Sequence, residues 1–253
     1  MPSALTFPLL LTLAGVVLLG VGLALVRRSG AQPAMARRLA GARQMRVGEL
    51  LDLRPGDRMP ARPVRIVGRI RCADPLVTAD EDRLVALHRD VEVIGPRGGW
   101  RSIQRLRETR SFELWDHDGS LPLDPAEARE PLVALPHVWS GSPNELDASY
   151  GAALSRVAAE QGPLLQARAT TRMISIVDRL LVLATVTQDG GGRAALAPPP
   201  GGYILSALEL DDAMRLLGGG RPRMLLAGSG AVAAAITLFG VAAILGITRL
   251  AAP

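Results

Sequence analysis

The chain has 253 residues, of which 48% are hydrophobic, and its mean hydropathy of +0.22 is high enough to direct attention to membrane segments first. Its 29 basic residues, all arginine, exceed its 24 acidic residues by only five, which argues against a strong polyanion binder. The single cysteine, Cys72, excludes an internal disulfide framework and an all-cysteine zinc site. Aromatic residues make up 3% of the chain, too few for a base-stacking platform, so no nucleic-acid partner is expected.

Two long segments carry no charged side chain, residues 4–26 and residues 224–248. Each exceeds the roughly 20 apolar residues that a helix needs to cross a bilayer. No basic side chain precedes the first segment, and Arg27 and Arg28 follow it directly, an order typical of an uncleaved anchor and not of a signal peptide. We therefore expect two transmembrane helices and no cleavage.

Arginines near the two segments lie mainly between them. The membrane-proximal set comprises Arg27, Arg28, Arg37, Arg38, Arg43, Arg221 and Arg223, whereas the outer ends offer the amino terminus and Arg249. Because positive charge close to a span favours the cytoplasmic side, the central part is predicted to be cytoplasmic, in a bacterial inner membrane, with both termini outside. The same arginines are expected to attract anionic membrane lipid.

The central part divides by composition. Residues 27–59 form a basic juxtamembrane segment, within which residues 30–47 fit either an amphipathic helix on the membrane surface or a solvated linker. Residues 60–217 read as one β-rich, barrel-like domain with a few helices, because runs of alternating or β-branched residues follow one another between turn signals. The predicted fold class is an α+β membrane protein in which two transmembrane helices bracket this domain.

Within the domain, three further elements follow in chain order. Residues 144–163 predict a helix with Asn144 as its cap and Gly162 as its end. A strand pair is expected around the QDGGGR turn, residues 188–193. Ser206 and Glu209 predict a capping box for a last helix that ends at Gly218.

The stretch SFELWDHDGSLPLD, residues 111–124, contains a histidine between two aspartates and poses the question of an active site. It also fits a hairpin with Asp118 and Gly119 as the loop, since Asp-Gly favours a type I′ turn. That register places Leu114 opposite Leu123, and Phe112, Leu114, Leu121 and Leu123 on one face. We predict a turn.

The alternative reading of this stretch is a metal or catalytic site. Its spacing departs from a calcium loop, because the residue at position 6 is Leu121 and not glycine. A zinc site needs three or four ligands, which His88, His137 and the carboxylates supply only if the fold gathers them. No phosphate-binding loop, nucleophile elbow or HExxH motif occurs. We therefore predict no catalytic, cofactor or metal site, and we interpret His88 as a packed or surface strand residue and not as a ligand.

The order of span, basic segment, β-rich domain and second span resembles the GIDE family, whose members include the mitochondrial ubiquitin ligase MULAN. Five segments carry the resemblance: RIVGRIRCADPLVT (65–78), RLVALHRDVEV (83–93), SFELWDHDGSLPLDP (111–125), DRLLVLATVTQDGGG (178–192) and YILSALELDDAMRLL (203–217). Val177 and Ala184 stand where the family usually has glycine. The ligases of the family carry a zinc-binding RING, which one cysteine cannot build. The resemblance therefore implies the partner-recognising membrane domain and not ubiquitin transfer.

These observations favour a membrane-anchored, non-catalytic module that recruits or senses a protein or a lipid. A membrane-surface enzyme using Asp116, His117 and Asp118, with or without His88, is the alternative, and it requires a cleft that gathers the residues it uses. A transporter component is a third reading, which requires a homo-oligomer or a larger partner because the spans lack ionisable residues.

Overall fold

The computed structural model describes residues 6–28, 32–54, 56–218 and 222–250. Residues 4 and 5 of the first predicted span, Arg221, and the side chains of Arg27, Arg28 and Arg223 lie outside this described part. The chain forms two compact units, which are treated separately: Met1–Ala36 together with Leu217–Pro253, and Arg37–Leu216.

The helices are α1 (Thr6–Arg28), α2 (Gln32–Gly41), α3 (Val47–Leu51), α4 (Gly151–Gln161), α5 (Leu210–Gly218) and α6 (Pro222–Leu250). The strands are β1 (Arg43–Met45), β2 (Val64–Arg71), β3 (Leu76–Val77), β4 (Arg83–Ile94), β5 (Trp100–Thr109), β6 (Phe112–Asp116), β7 (Gly119–Leu123), β8 (His137–Gly141), β9 (Gln166–Ser175), β10 (Arg179–Gln188), β11 (Ala194–Ala197) and β12 (Ile204–Ser206). Short 3-10 turns occupy Pro125–Glu127, Pro143–Glu145 and Ala148–Tyr150.

Helices α1 and α6 pack against each other in antiparallel fashion. Gly15 faces Phe239, and further along α1 Gly22 faces Val232 and the carbonyl oxygen of Gly228, which would lie 3.0 Å from an added Cβ. The contact is lined by small buried residues seven apart, Gly15 and Gly22 on α1 and Gly228, Ala235 and Ala242 on α6. Small residues at this spacing let two helix backbones approach closely.

One of the two predicted spans meets the requirement for a membrane-crossing helix. Among the described side chains, Leu226–Ile244 of α6 is long and apolar enough, whereas the apolar stretch of α1, Leu9–Ala24, is shorter. At 1.5 Å per residue, that stretch covers about 24 Å of a hydrocarbon core of about 30 Å. Of the two bracketing spans that were expected, α6 is therefore long enough to cross a membrane, whereas the apolar stretch of α1 is too short by this measure.

The first sheet of the central unit is a nearly closed barrel. Its strands run in the order β11-β10-β2-β6-β7, and β7 approaches β11. Strand β12 also pairs with β10, and β1 joins β2 in parallel. Alternation in β2 directs Val64, Ile66 and Ile70 inward, and Gly68 is needed between them because an added Cβ would lie 2.8 Å from Leu114. The predicted β-rich, barrel-like domain is confirmed at this level.

The second sheet is antiparallel and open, in the order β3-β4-β9-β8. Strand β5 pairs with the edge of β4 that faces away from β9. It reaches the barrel core through Val85, Ala86 and Ile174. Further along, Val91 and Ala169 pack under Tyr150 on one face of the sheet. The opposite face carries most of the charged residues discussed below.

Two sequence predictions are corrected at the edges of the domain. The segment 27–59 is not all linker, because β1 pairs with β2 and Val47 and Leu50 of α3 enter the core. The predicted helix 144–163 begins later, at Gly151, because Pro143 and Asp147 form successive 3-10 turns before it. Its predicted end is confirmed at Gly162, which has a positive φ of 83°.

Two further predictions of local structure are confirmed in outline. The QDGGGR turn joins β10 and β11, and the Asp189 carboxylate accepts hydrogen bonds from the backbone N–H groups of Gly191 and Arg193, both at 2.8 Å. The last helix of the domain follows Ser206, whose hydroxyl accepts from the Leu208 N–H at 3.1 Å. This contact is made two residues after Ser206, whereas the predicted capping box requires a contact with the backbone N–H of Glu209, three residues after it.

Candidate functional site

The stretch with the aspartates and histidine forms the β6–β7 hairpin, as predicted, but its loop is displaced by one residue. Asp116 pairs with Gly119, so His117 and Asp118 are the loop, and the predicted pair of Asp118 and Gly119 is wrong. Asp118 does not adopt the positive φ of a type I′ turn. The Asp116 carboxylate instead accepts from the Asp118 N–H at 2.9 Å, closing an Asx turn. The displaced register puts Phe112 opposite Leu123 and Leu114 opposite Leu121, all buried.

Asp116, His117 and Asp118 offer ligand atoms within 4.8 Å of one another, a group that could hold a metal ion. One Asp116 oxygen already serves the turn, and the Nε2 of His117 lies 3.1 Å from the Asp118 carboxylate. The groove beside the hairpin also contains the guanidinium groups of Arg69 and Arg179, which oppose a cation. His88 does not line this groove.

A second polar region covers one face of the open sheet. Three cross-strand rows run from β9 through β4 to β5: Arg172, His88 and Arg107; then Thr170, Asp90 and Arg105; then Arg168, Glu92 and Ser102. Because residues directly opposite each other share a face, the rows place every one of these side chains on the same side of the sheet. A groove of about 590 Å³ lies over them, closed on one side by Glu130 and Pro131.

Arg107 organises this groove. Its guanidinium donates to Asp90 at 2.7 Å and to Glu130 at 2.8 Å, and Arg105 also pairs with Glu130. These hydrogen bonds, above all the one from Arg107, lower the pKa of Glu130 to about 2. In the third row Arg168 donates to Glu92 at 2.7 Å, and its guanidinium lies 4.0 Å from the centre of the Trp100 ring. Most charges in the groove are therefore fixed by a partner.

His88 lies at the base of the same rows, 5% exposed, with its Nδ1 buried and without a hydrogen-bond partner in the described part of the chain. Burial, followed by the charge of Arg107, lowers the pKa of His88 to about 4, so the ring is neutral at physiological pH. Of the two positions predicted for His88, packed or at the surface of a strand, the structure shows the packed one. The ring acts as a neutral spacer between Arg107 and Arg172.

Arg172 differs from the other arginines of the groove. It makes no hydrogen bond or ion pair with any described residue, although Asp90 is close enough to influence it. Burial lowers the pKa of its guanidinium, and Arg107 adds to that effect. It lines the groove beside the Thr170 hydroxyl. An incoming anionic group would meet a guanidinium whose donors are free.

The groove contains hydroxyl groups beside its charged side chains. Ser102 is a hydroxyl in the groove, but it donates to the Gln104 carbonyl at 3.4 Å and contacts no base. A nucleophile requires an adjacent general base within hydrogen-bonding reach. Among the described lining residues, charged and hydroxyl groups converge without such a pair.

Of the predicted membrane-proximal arginines, three have described side chains. Arg37 and Arg43 are exposed, and Arg38 is half-buried. Arg43 lines a groove of about 790 Å³ together with Arg58 and Arg62 and a mainly apolar floor. The predicted basic character near the start of the domain thus continues into its surface.

Reasoning from the sequence missed the charged rows on the open sheet. The signal was present as alternation, since Asp90 and Glu92 on β4 and Arg105 and Arg107 on β5 are each two residues apart. What the sequence could not supply was the register that sets Asp90 opposite Arg105.

Compared with known protein families, with curated proteins and with solved structures, the chain shows no significant match.

Proposed function

We propose that this chain is a membrane-anchored, non-catalytic binding protein. The observation that carries the proposal is the outward face of the α1–α6 pair. Large apolar side chains there are open to solvent, with Leu9 68% exposed, Leu226 71% and Ile236 64%. Leaving such side chains in water forgoes about 1.5–3 kcal/mol each relative to burial. A contiguous surface of this kind is typical of a membrane or protein interface, and lipid covers both helices at once.

The proposal includes two spans, a bacterial inner membrane and a cytoplasmic domain. Helix α1 has 23 residues in all, which supports a second crossing beyond its shorter apolar stretch. The arginines that lie between the helices in sequence support the cytoplasmic side for the domain. A reporter active only in the cytoplasm, inserted at the exposed Gly191, tests the orientation. Activity there is expected, and activity only of an external reporter at the same site would contradict it.

The domain binds its partner in the groove on the open sheet. Its free guanidinium, Arg172, and its fixed charged neighbours suit a charged protein segment whose acidic group pairs with Arg172.

A relation to the GIDE family is part of the same proposal. The five resembling segments fall on β2 with β3, on β4, on the β6–β7 hairpin, on β10, and on β12 with α5, which supports a shared domain.

A photocrosslinking amino acid in the full-length chain tests the groove. Placed at Ser102, which is exposed and lines the groove, it should give a discrete adduct in cells. Arg172→Gln in the same chain should reduce that adduct several-fold, because the free guanidinium is lost. The matched control is Arg101→Gln, which removes an exposed arginine from the same sheet.

The crosslinker at Val177, which is 85% exposed, reports random collisions. Equal adducts from positions 102 and 177, or an adduct at 102 that survives Arg172→Gln, would contradict binding in the groove. An adduct that consists of phospholipid would replace the protein partner by a lipid.

A further inference from the structure

Two arginines lie directly opposite each other on the outer face of the barrel. Arg179 of β10 pairs in register with Arg69 of β2. Directly opposite residues in an antiparallel pair have Cα atoms only about 4.5–5.5 Å apart, and like charges in such positions are destabilising. Within the described chain neither guanidinium has a hydrogen bond or an ion pair, and both side chains are exposed. The fold therefore places two positive charges opposite each other, neither of them with an ion-pair partner among the described residues.

The neighbouring strand orients one of the two. Trp115 of β6 is the register partner of Arg69 on its other side, and the Arg69 guanidinium lies 6.0 Å from the centre of the indole ring. Arg71 lies 5.1 Å from the same ring and has a partner, Glu113, at 3.6 Å. Contact with a ring face leaves the N–H groups at the edge of a guanidinium able to donate. Arg69 is thus held in place while its donors stay free.

Arg69 and Arg179 both line a groove of about 370 Å³ beside the hairpin. Its lining contains one carboxylate, Asp116, and that side chain accepts from the backbone of its own turn. The remaining lining residues are Val67, Gly68, Trp115 and His117. The groove therefore presents two arginines without ion-pair partners in the described chain and one carboxylate, of which one oxygen accepts a hydrogen bond within the turn.

We propose that Arg69 and Arg179 form a binding site for a phosphate group. A phosphate monoester carries close to two negative charges and three acceptor oxygens, so it can accept hydrogen bonds from both guanidinium groups and remove their mutual repulsion. A carboxylate carries one negative charge and therefore balances only one of the two positive charges of Arg69 and Arg179. The phosphate belongs either to a soluble phosphate ester or to a lipid headgroup. The site shares no residue with the groove on the open sheet, so a test of phosphate binding is independent of the proposed partner site.

The full-length chain in a neutral detergent tests this site, with thermal unfolding and calorimetric titration as readouts. In one arm the probe is inorganic phosphate, compared with chloride at equal ionic strength. In the other arm the probe is phosphatidic acid in mixed micelles, compared with phosphatidylcholine. Binding of either probe is expected, and the arm that responds identifies the soluble or the lipid source.

Arg69→Gln and Arg179→Gln should each weaken the responding probe by about tenfold or more, since each removes a charge-assisted contact. Arg101→Gln, an exposed strand arginine outside the groove, should bind as the original chain does. In chloride, both groove variants should melt at the same or a higher temperature, because like-charge repulsion is relieved; this also shows that they fold. Binding that survives both substitutions, or the absence of binding in both arms, would overturn the proposal.

Discussion

Side chains alternate between the two faces in both sheets of the domain, but with different results. In the barrel, the inward positions of β2 are apolar and almost fully buried, as Ile66 and Ile70 show. In the open sheet, the equivalent alternation on β4 brings Asp90 and Glu92 to one face. The barrel curves until β7 approaches β11, so its interior excludes water and must be apolar. The open sheet leaves one face in contact with solvent, where charges are tolerated.

This difference assigns separate roles to the two sheets. The barrel supplies most of the apolar burial that stabilises the domain. The open sheet supplies fixed charges, which contribute less to stability and more to the choice of partner. Changes in the barrel interior should therefore unfold the domain, whereas changes on the charged face should alter pH dependence and binding.

The largest effect is expected from Leu114→Ala. Leu114 is fully buried opposite Leu121 and against Gly68, so its truncation leaves a cavity in the barrel and should cost about 2–5 kcal/mol of unfolding free energy. Chemical denaturation of the full-length chain measures it. Val177→Ala, at an exposed position, is the control and should change stability by under about 0.5 kcal/mol. A similar loss for both variants would remove the distinction between interior and surface.

A smaller loss is expected from Arg107→Leu on the charged face. It leaves Asp90 without its guanidinium partner and leaves Glu130 with Arg105 alone, which should cost about 1–3 kcal/mol. Arg101→Leu, on the same strand but exposed, is the matched substitution and should be close to neutral. If Arg107→Leu were as damaging as Leu114→Ala, the charged face would be part of the structural core and the contrast between the sheets would fail.

The charged face should also make stability depend on pH in two separate windows. The pKa of His88 falls from an ordinary 6.5 to about 4 on folding, so the unfolded chain binds more protons and stability declines as pH falls from 6.5 to 4. The pKa of Glu130 falls from 4.5 to about 2, so its contribution is lost between pH 4.5 and 2. Denaturation at successive pH values should show both declines.

Single substitutions separate the two windows. His88→Asn should flatten the decline between pH 6.5 and 4.5, and Glu130→Gln should flatten the decline below pH 4. An unchanged slope for His88→Asn in the upper window would show that burial of this ring does not govern the pH response.

The smallest effect is expected from His117→Ala. The side chain is 81% exposed in the hairpin loop, so stability should change by under about 0.5 kcal/mol. Crosslinking from the groove on the open sheet should also be unchanged. Loss of cellular function with unchanged folding would instead support the enzyme reading of the aspartates and histidine.

The pattern of the sequence was sufficient for the elements whose signal is local. The barrel-like β content, the hairpin and its buried leucines, and the turn at Asp189 all follow from alternation and turn residues. The hairpin loop was misplaced by one residue, because the Asp116 side chain closes an Asx turn that competes with the Asp-Gly preference. The charged rows and the Arg69–Arg179 pair depend on register between strands distant in sequence, and local pattern does not encode it.

Membrane anchoring is the central claim, and extraction of membranes tests it most directly. Cells expressing the full-length chain are lysed, and the membranes are washed with alkaline carbonate, which releases peripheral proteins and leaves spanning helices in place. A chain anchored by α1 and α6 should remain in the pellet and be released only by detergent. Complete release by carbonate would show that the exposed apolar faces of these helices are covered by protein, and it would contradict the account.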